Sequence, residues 1–268
     1  MKKILKYLGW VLLLLVFVIL TEGLASLILM GSANLIHNGI LDESILVTIS
    51  KYQIVLGQLI RGILIYFFIK FENKRKSASS KIIANRGLVS DSWKMLVVGF
   101  GVAGLGNIIV GIMVNLLKDT EMYKQVFDII ETTMVATNPM DYVILFVGVV
   151  ILAPIVEELM FRGLLLNKLM DDFKPKYAII LSALAFGIYH FNVFQGVNTF
   201  AMGIILATVY YYRRNITDCI IIHMANNLFA VVAGHNEVLS GILVIISFIC
   251  MIISVFIIRN IAKNNNPS

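Results

Sequence analysis

Few ionisable side chains lie deep inside the apolar runs of this chain: Glu22, Arg61, Glu157, Glu158, Arg162, His190 and His223. At the centre of a membrane helix each charge costs about 2.5–3.5 kcal/mol on insertion scales, which makes each a functional candidate. Three of them sit together in APIVEELMFRGLLL, residues 153–166. Glu158 and Arg162 are four apart, so they share a helix face with the acid N-terminal to the cation, the favoured order. They can neutralise each other as a buried, hydrogen-bonded pair. Glu157 points about 100° away and has no partner on its own helix, which leaves it available as a general base. The competing reading is a cluster that only holds helices together.

The next apolar run ends in AFGIYHFN, with His190 one turn after Phe186. The turn DDFKPK, residues 171–176, makes the two runs an antiparallel hairpin, and the midpoint of 157 and 190 is 173.5, inside it. Glu157 and His190 are therefore expected at matched depth, roughly 25 Å of helix from the turn. A later run, IIHMANNLFA, places His223 and Asn227 on one face with Asn226 beside them. His–Asn pairs are also ordinary interhelical glue. His223 lies only 8 residues past the basic pair at 213–214, which suggests a shallower position than His190. A cavity open to the cytoplasm would reconcile the depths. Arg61 is expected to snorkel to the headgroups, and pairing with Glu22 to require bridging different depths. His37 and His235 fall in or near outer loops and read as solvated.

The elements that must position these groups follow from composition. The chain has 268 residues, 59% hydrophobic and 14% charged, against roughly half and a quarter in soluble domains. The excess apolar surface calls for lipid as solvent. Uncharged runs near twenty residues long favour helices over a barrel. The expected class is all-α, a polytopic membrane protein of about eight spans around a polar intramembrane cavity. The spans read as 7–30, 45–70, 94–117, 141–166, 177–194, 196–213, 216–234 and 238–258. Residues 1–93 hold two spans and a basic linker (72–92). Residues 94–268 hold the other six.

Net charge is +6, but the basic residues alternate between loops. Lys2, Lys3 and Lys6, the 70–94 cluster, Lys168, Lys174 and Lys176, Arg213 and Arg214, and Arg259 and Lys263 fall on one side. That bias predicts a multi-pass cell-membrane protein with both termini cytoplasmic, and it argues against nucleic-acid binding. The first apolar run is longer than a signal-peptide core and reads as a retained span. Cys219 and Cys250 lie in apolar runs, so a disulfide framework is not expected. GFGVAGLG, residues 99–106, fits a dinucleotide G-x-G-x-x-G, but inside a membrane helix it reads as small-residue packing. Met122, Val126 and Ile129 recur at helical spacing in the 118–141 loop and suggest an amphipathic interfacial helix.

Taken in order on successive spans, E-E-x-x-x-R at 157–162, F-x-x-x-H at 186–190 and H-x-x-x-N at 223–227 resemble the CPBP family over about 140–235. That family comprises CAAX endopeptidases that trim prenylated proteins and bacterial relatives often called Abi or bacteriocin-immunity proteins. The resemblance implies an intramembrane endopeptidase acting on a membrane-embedded or lipidated peptide within the bilayer. Glu157 would activate water with help from His190, and His223 and Asn227 would stabilise the oxyanion. Glu158 and Arg162 would orient the site. A metal-free mechanism is the favoured implication. Zinc held by Glu157, His190 and His223 with a fourth position for water is the other. A non-catalytic immunity or partner protein and a transporter are the readings outside proteolysis.

Overall fold

The computed structural model describes residues 2–74, 87–234 and 237–265. The elements among them are helical: α1 (Lys2–Ile36), α2 (Glu43–Lys74), α3 (Lys94–Leu117), α4 (Glu121–Met134), α5 (Pro139–Asp172), α6 (Pro175–Tyr189), α7 (Val193–Arg213), α8 (Ile216–Ala233) and α9 (Glu237–Asn264). Seven of the described helices are long and apolar enough to cross a membrane; α6, at 15 residues, is shorter. The expected fifth span, 177–194, therefore ends early, and the count is seven long helices and one short one.

The early stop is local chemistry. His190 closes α6 by bonding the Phe186 carbonyl through Nδ1 at 2.9 Å. Phe191 then turns to φ 55°, a left-handed conformation that a bulky residue rarely adopts. Asn192 caps α7 by accepting from the Gln195 backbone N–H at 2.8 Å, a device that satisfies an otherwise orphaned donor. Asn192 followed three residues later by Gln195 resembles a capping box, and is the signal that marks this break in the sequence.

The chain folds as hairpins around a buried α5. Helices α1 and α2 pair with each other, α6 pairs with α7, and α3 lies between α8 and α9. Close approach in that last layer depends on small residues. A Cβ at Gly104 would stand 2.7 Å from the Ser247 carbonyl oxygen, and one at Gly99 would stand 2.5 Å from that of Ile222. The GFGVAGLG segment is thus helix-packing surface within α3, as expected. The outer faces of α1, α2 and α9 carry exposed leucines, isoleucines and phenylalanines, the surface that lipid would cover.

The two ends of the bundle differ. At one, Lys6 pairs with Asp172 at 2.6 Å, Lys3 donates to the Asp172 carbonyl at 2.7 Å, Arg213 pairs with Asp91 and Asp218, and Asn215 donates to the Gly87 carbonyl. At the other, Lys51 and Asp141 form a buried pair at 2.6 Å. The basic segments expected on one side do meet at one end. Arg75, Lys76, Lys81, Arg86 and His235 lie outside the described residues. Helix α4 is amphipathic, capped by Thr120, but its face differs from the expected one. Tyr123 and Phe127 pack on each other and on Phe194, while Met122 and Ile129 point outward.

Candidate active site

Helix α5 contains two π-helical stretches, Phe146–Leu152 and Leu159–Leu166, on either side of one α-helical segment, Ala153–Glu158, that carries both glutamates. Inserted π-turns concentrate at functional sites, and both have visible causes here. The Ala153 N–H reaches back five residues to the Gly148 carbonyl. In the same register the next donor, at position 154, belongs to a proline and does not exist, so the Val149 carbonyl is freed. Asn227 on α8 fills it, donating from Nδ2 at 2.9 Å. The carbonyl that Pro154 releases is thus tied to α8 rather than left open. At the second stretch, Asn167 donates to the Gly163 carbonyl at 2.7 Å and to that of Arg162 at 3.3 Å.

The Glu158–Arg162 pair forms as the spacing requires, at 2.9 Å with neither side chain exposed. Arg162 also donates to the Gly203 carbonyl on α7 at 3.3 Å, and its guanidinium stacks 4.6 Å above the Phe186 ring. His223 completes the group, its Nδ1 2.8 Å from Glu158 Oε1. A carboxylate oxygen only accepts, so Nδ1 carries the hydrogen and Nε2 of the neutral ring is left with its lone pair. That atom faces Glu157 Oε2 at 3.8 Å, too far for a direct hydrogen bond.

His190 repeats the arrangement. Its Nδ1 donates to the Phe186 carbonyl and lies 3.3 Å from Thr199 Oγ1, whose own hydrogen goes to the Gln195 carbonyl at 2.7 Å. Nε2 is again the open nitrogen. Half-buried His190 lies within electrostatic reach of Glu157, His223 and Arg162, although no direct hydrogen bond joins it to Glu157. Phe186 touches both imidazoles edge-on, at 5.1 Å and 5.7 Å, which gives the phenylalanine of its motif a physical role. His223, expected to be shallower, bonds directly to Glu158 and so sits at the depth of the glutamates. The π-turns, which hold more residues per turn than an α-helix, shorten the path from Glu158 to the basic end.

Four residues outside the expected set join the site. Arg61 does not snorkel: it is 2% exposed, donates to the Tyr189 hydroxyl at 2.5 Å and is paired with Glu22. Gln53 supports Glu22 at 3.1 Å. Tyr189 in turn makes a long hydrogen bond, 3.5 Å, to Glu157 Oε1. Midpoint arithmetic finds this pairing too. The midpoint of 22 and 61 is 41.5, inside the connection between α1 and α2, so the two residues lie at equal depth on a hairpin.

Among the described residues, no group of three or more His, Cys, Asp or Glu side chains is placed to hold a metal ion.

Residues 139–229 match the family model described as type II CAAX prenyl endopeptidase Rce1-like. The chain carries a CAAX-protease-family region. It spans about a third of the chain and contains Glu157, Glu158, Arg162, His190, His223 and Asn227. No curated protein and no solved structure matches the chain. The apolar helices describe a multi-pass membrane protein, and its matched segment is similar to CAAX prenyl endopeptidases. The matched segment leaves out α1, α2 and α3, yet α2 reaches the glutamates of the CAAX-protease region through Arg61 and Tyr189.

Proposed function

We propose that this protein hydrolyses a peptide bond of a membrane-associated substrate, with Glu157 as the general base. The observation that carries this reading is the 3.8 Å approach of Glu157 Oε2 to His223 Nε2, a gap too wide for a direct hydrogen bond. A water that donates one hydrogen to each is held there with a lone pair free. As it attacks a carbonyl carbon, Glu157 takes its proton and the carbonyl electrons move onto oxygen. The proton then passes to the amide nitrogen as the C–N bond breaks, which leaves a carboxylic acid and an amine. His190 Nε2 accepts a hydrogen from the substrate amide. Glu158 and Arg162 act one step back, by fixing the His223 ring through Nδ1 and by stacking on Phe186. The second amide hydrogen of Asn227 is available to the oxyanion, as is His223 Nε2 when its ring carries both protons.

The site lies about 10 Å of helix from the start of α8, near the end where the basic segments meet, the cytoplasmic end under the positive-inside rule. The test is cleavage of lipidated and unlipidated peptides by the protein in liposomes, with and without a zinc chelator. Wild type is expected to cleave. Glu157→Gln and His190→Ala are expected to lose at least 100-fold in turnover, about what a positioned acid–base group supplies, while folding as wild type. Turnover retained within twofold in Glu157→Gln would overturn the assignment. Vesicle flux without proteolysis would favour a transporter, and immunity that survives loss of Glu157 would favour a non-catalytic partner.

A further inference from the structure

We infer that Tyr189, held by the Arg61–Glu22 pair of the α1–α2 hairpin, is a positioning residue for Glu157. The inference rests on the peptidase reading above, and it extends the site to two helices outside the matched CAAX-protease region.

Glu157 has two carboxylate oxygens with different neighbours. Oε2 faces His223 Nε2, and Oε1 lies 3.5 Å from the Tyr189 hydroxyl. That hydroxyl has one hydrogen to give. Arg61 Nη1 is a donor only and sits on the acceptor side of the hydroxyl at 2.5 Å, and Gln58 adds a second hydrogen bond to that oxygen, so the tyrosine hydrogen is directed to Glu157. Arg61 is in turn fixed by Glu22, and Glu22 by Gln53. The chain of contacts thus runs from α1 through α2 and α6 to α5, and each link sets the donor direction of the next. Oε1 is held as a hydrogen-bond acceptor, and Oε2 is the oxygen left to take a proton from water.

The burial pattern supports a purpose beyond packing. Arg61 is nearly inaccessible, and a buried arginine is tolerated only with its charge answered. Glu22 answers that charge, and the Tyr189 hydroxyl accepts from Arg61 Nη1. The tyrosine ring is already packed against Phe161 at 5.3 Å and Phe186 at 6.4 Å between centroids. Its hydroxyl is therefore the part that packing does not explain.

The variants follow from that separation. Tyr189→Phe keeps the ring contacts and removes only the oxygen. Arg61→Lys keeps a donor and a charge, and Arg61→Gln removes the charge. Turnover of whichever peptide the wild type cleaves is measured at saturating and limiting substrate, alongside thermal unfolding. Tyr189→Phe is expected to lower kcat about tenfold with KM unchanged, beyond the lowered melting that an unpaired Arg61 donor brings, and Arg61→Gln to lower kcat by at least as much. Arg61→Lys is expected to recover part of that loss, and Tyr189→Phe to add little further loss on the Arg61→Gln background. A Tyr189→Phe protein with wild-type kcat, or one whose loss lies wholly in KM or melting, overturns the inference while the peptidase reading stands. A wild type that cleaves nothing overturns both.

Discussion

The bond between Asn227 and Val149 can be tested by suppression. Pro154 removes the donor that the π-register would offer Val149, and Asn227 Nδ2 supplies it from α8 at 2.9 Å. Asn227→Ala leaves that carbonyl buried without a partner. An orphaned acceptor costs about 1–3 kcal/mol. Measured hydrogen bonds between membrane helices average about 0.6 kcal/mol, with a maximum near 1.7, so a loss of about 1–2 kcal/mol is expected. Pro154→Ala restores a backbone N–H at the right register. Alone it is close to neutral, because Val149 is already bonded. In the double variant it is expected to return about 1 kcal/mol of what Asn227→Ala removed. The assay is reversible unfolding in mixed micelles, followed by the fluorescence of the two tryptophans. A coupling below about 0.5 kcal/mol, the limit of ordinary additivity, refutes the reasoning. The same double variant separates the roles of Asn227, since stability returns but turnover does not if its second amide hydrogen serves the oxyanion.

Two further outcomes follow from the buried charges. Glu158→Gln strips Arg162 and His223 of their shared anion and leaves a fully buried guanidinium uncompensated; about 3–5 kcal/mol of stability is expected to go, read in the same unfolding assay. Asp91, outside the spans, accepts two hydrogen bonds from Arg213 at 2.8 and 2.9 Å, and this hydrogen-bonded guanidinium holds its carboxyl below the usual carboxylate range. A depressed folded-state value gives stability that is present above the ordinary value, near pH 3.9, and is lost as pH falls through the folded one. Asp91→Asn should therefore flatten the acid side of the stability profile, and an unchanged slope would show that the contact carries none of it.

Legibility in the sequence followed the range over which each rule acts. Glu158–Arg162 was visible because i,i+4 geometry is local to one helix. The matched depth of Glu157 and His190 was visible because a hairpin imposes a mirror on residue numbers. The same mirror relates Glu22 to Arg61, but a snorkelling arginine was the easier reading of a single cation near a helix end. His223 looked too shallow because a uniform rise was assumed, and the π-turns of α5 break that assumption. The first is filled by a side chain from α8 and the second, between Glu158 and the basic end, by Asn167 of α5 itself, which no apolar pattern announces. The end of α6 was written in Asn192 and Gln195, but the apolar run continues across it, and hydropathy hides a break that capping residues reveal.

In the proposed reaction the hydrogen inventory of the site gives each of the two histidines a task. Each donates its Nδ1 hydrogen to a fixed oxygen, Glu158 Oε1 for His223 and the Phe186 carbonyl for His190. Glu157 Oε2 and His223 Nε2 then bound one gap of 3.8 Å, with His190 within electrostatic reach of both residues. Such a space is poor for another carbonyl and good for donors, and the two donors a peptidase must bring together are a water and an amide N–H. After the water has been split, the inventory reverses. Glu157 holds a proton, and the new oxyanion needs donors where the water had needed acceptors. Asn227 has one amide hydrogen uncommitted, and an imidazole that picks up a proton at Nε2 becomes a donor at the same position. A single ring can thus serve both halves of the reaction without moving, provided its Nδ1 stays anchored. On this reasoning the anchors, Glu158 with Arg162 behind it and the Phe186 carbonyl with Thr199 beside it, matter as much to turnover as the atoms that face the substrate.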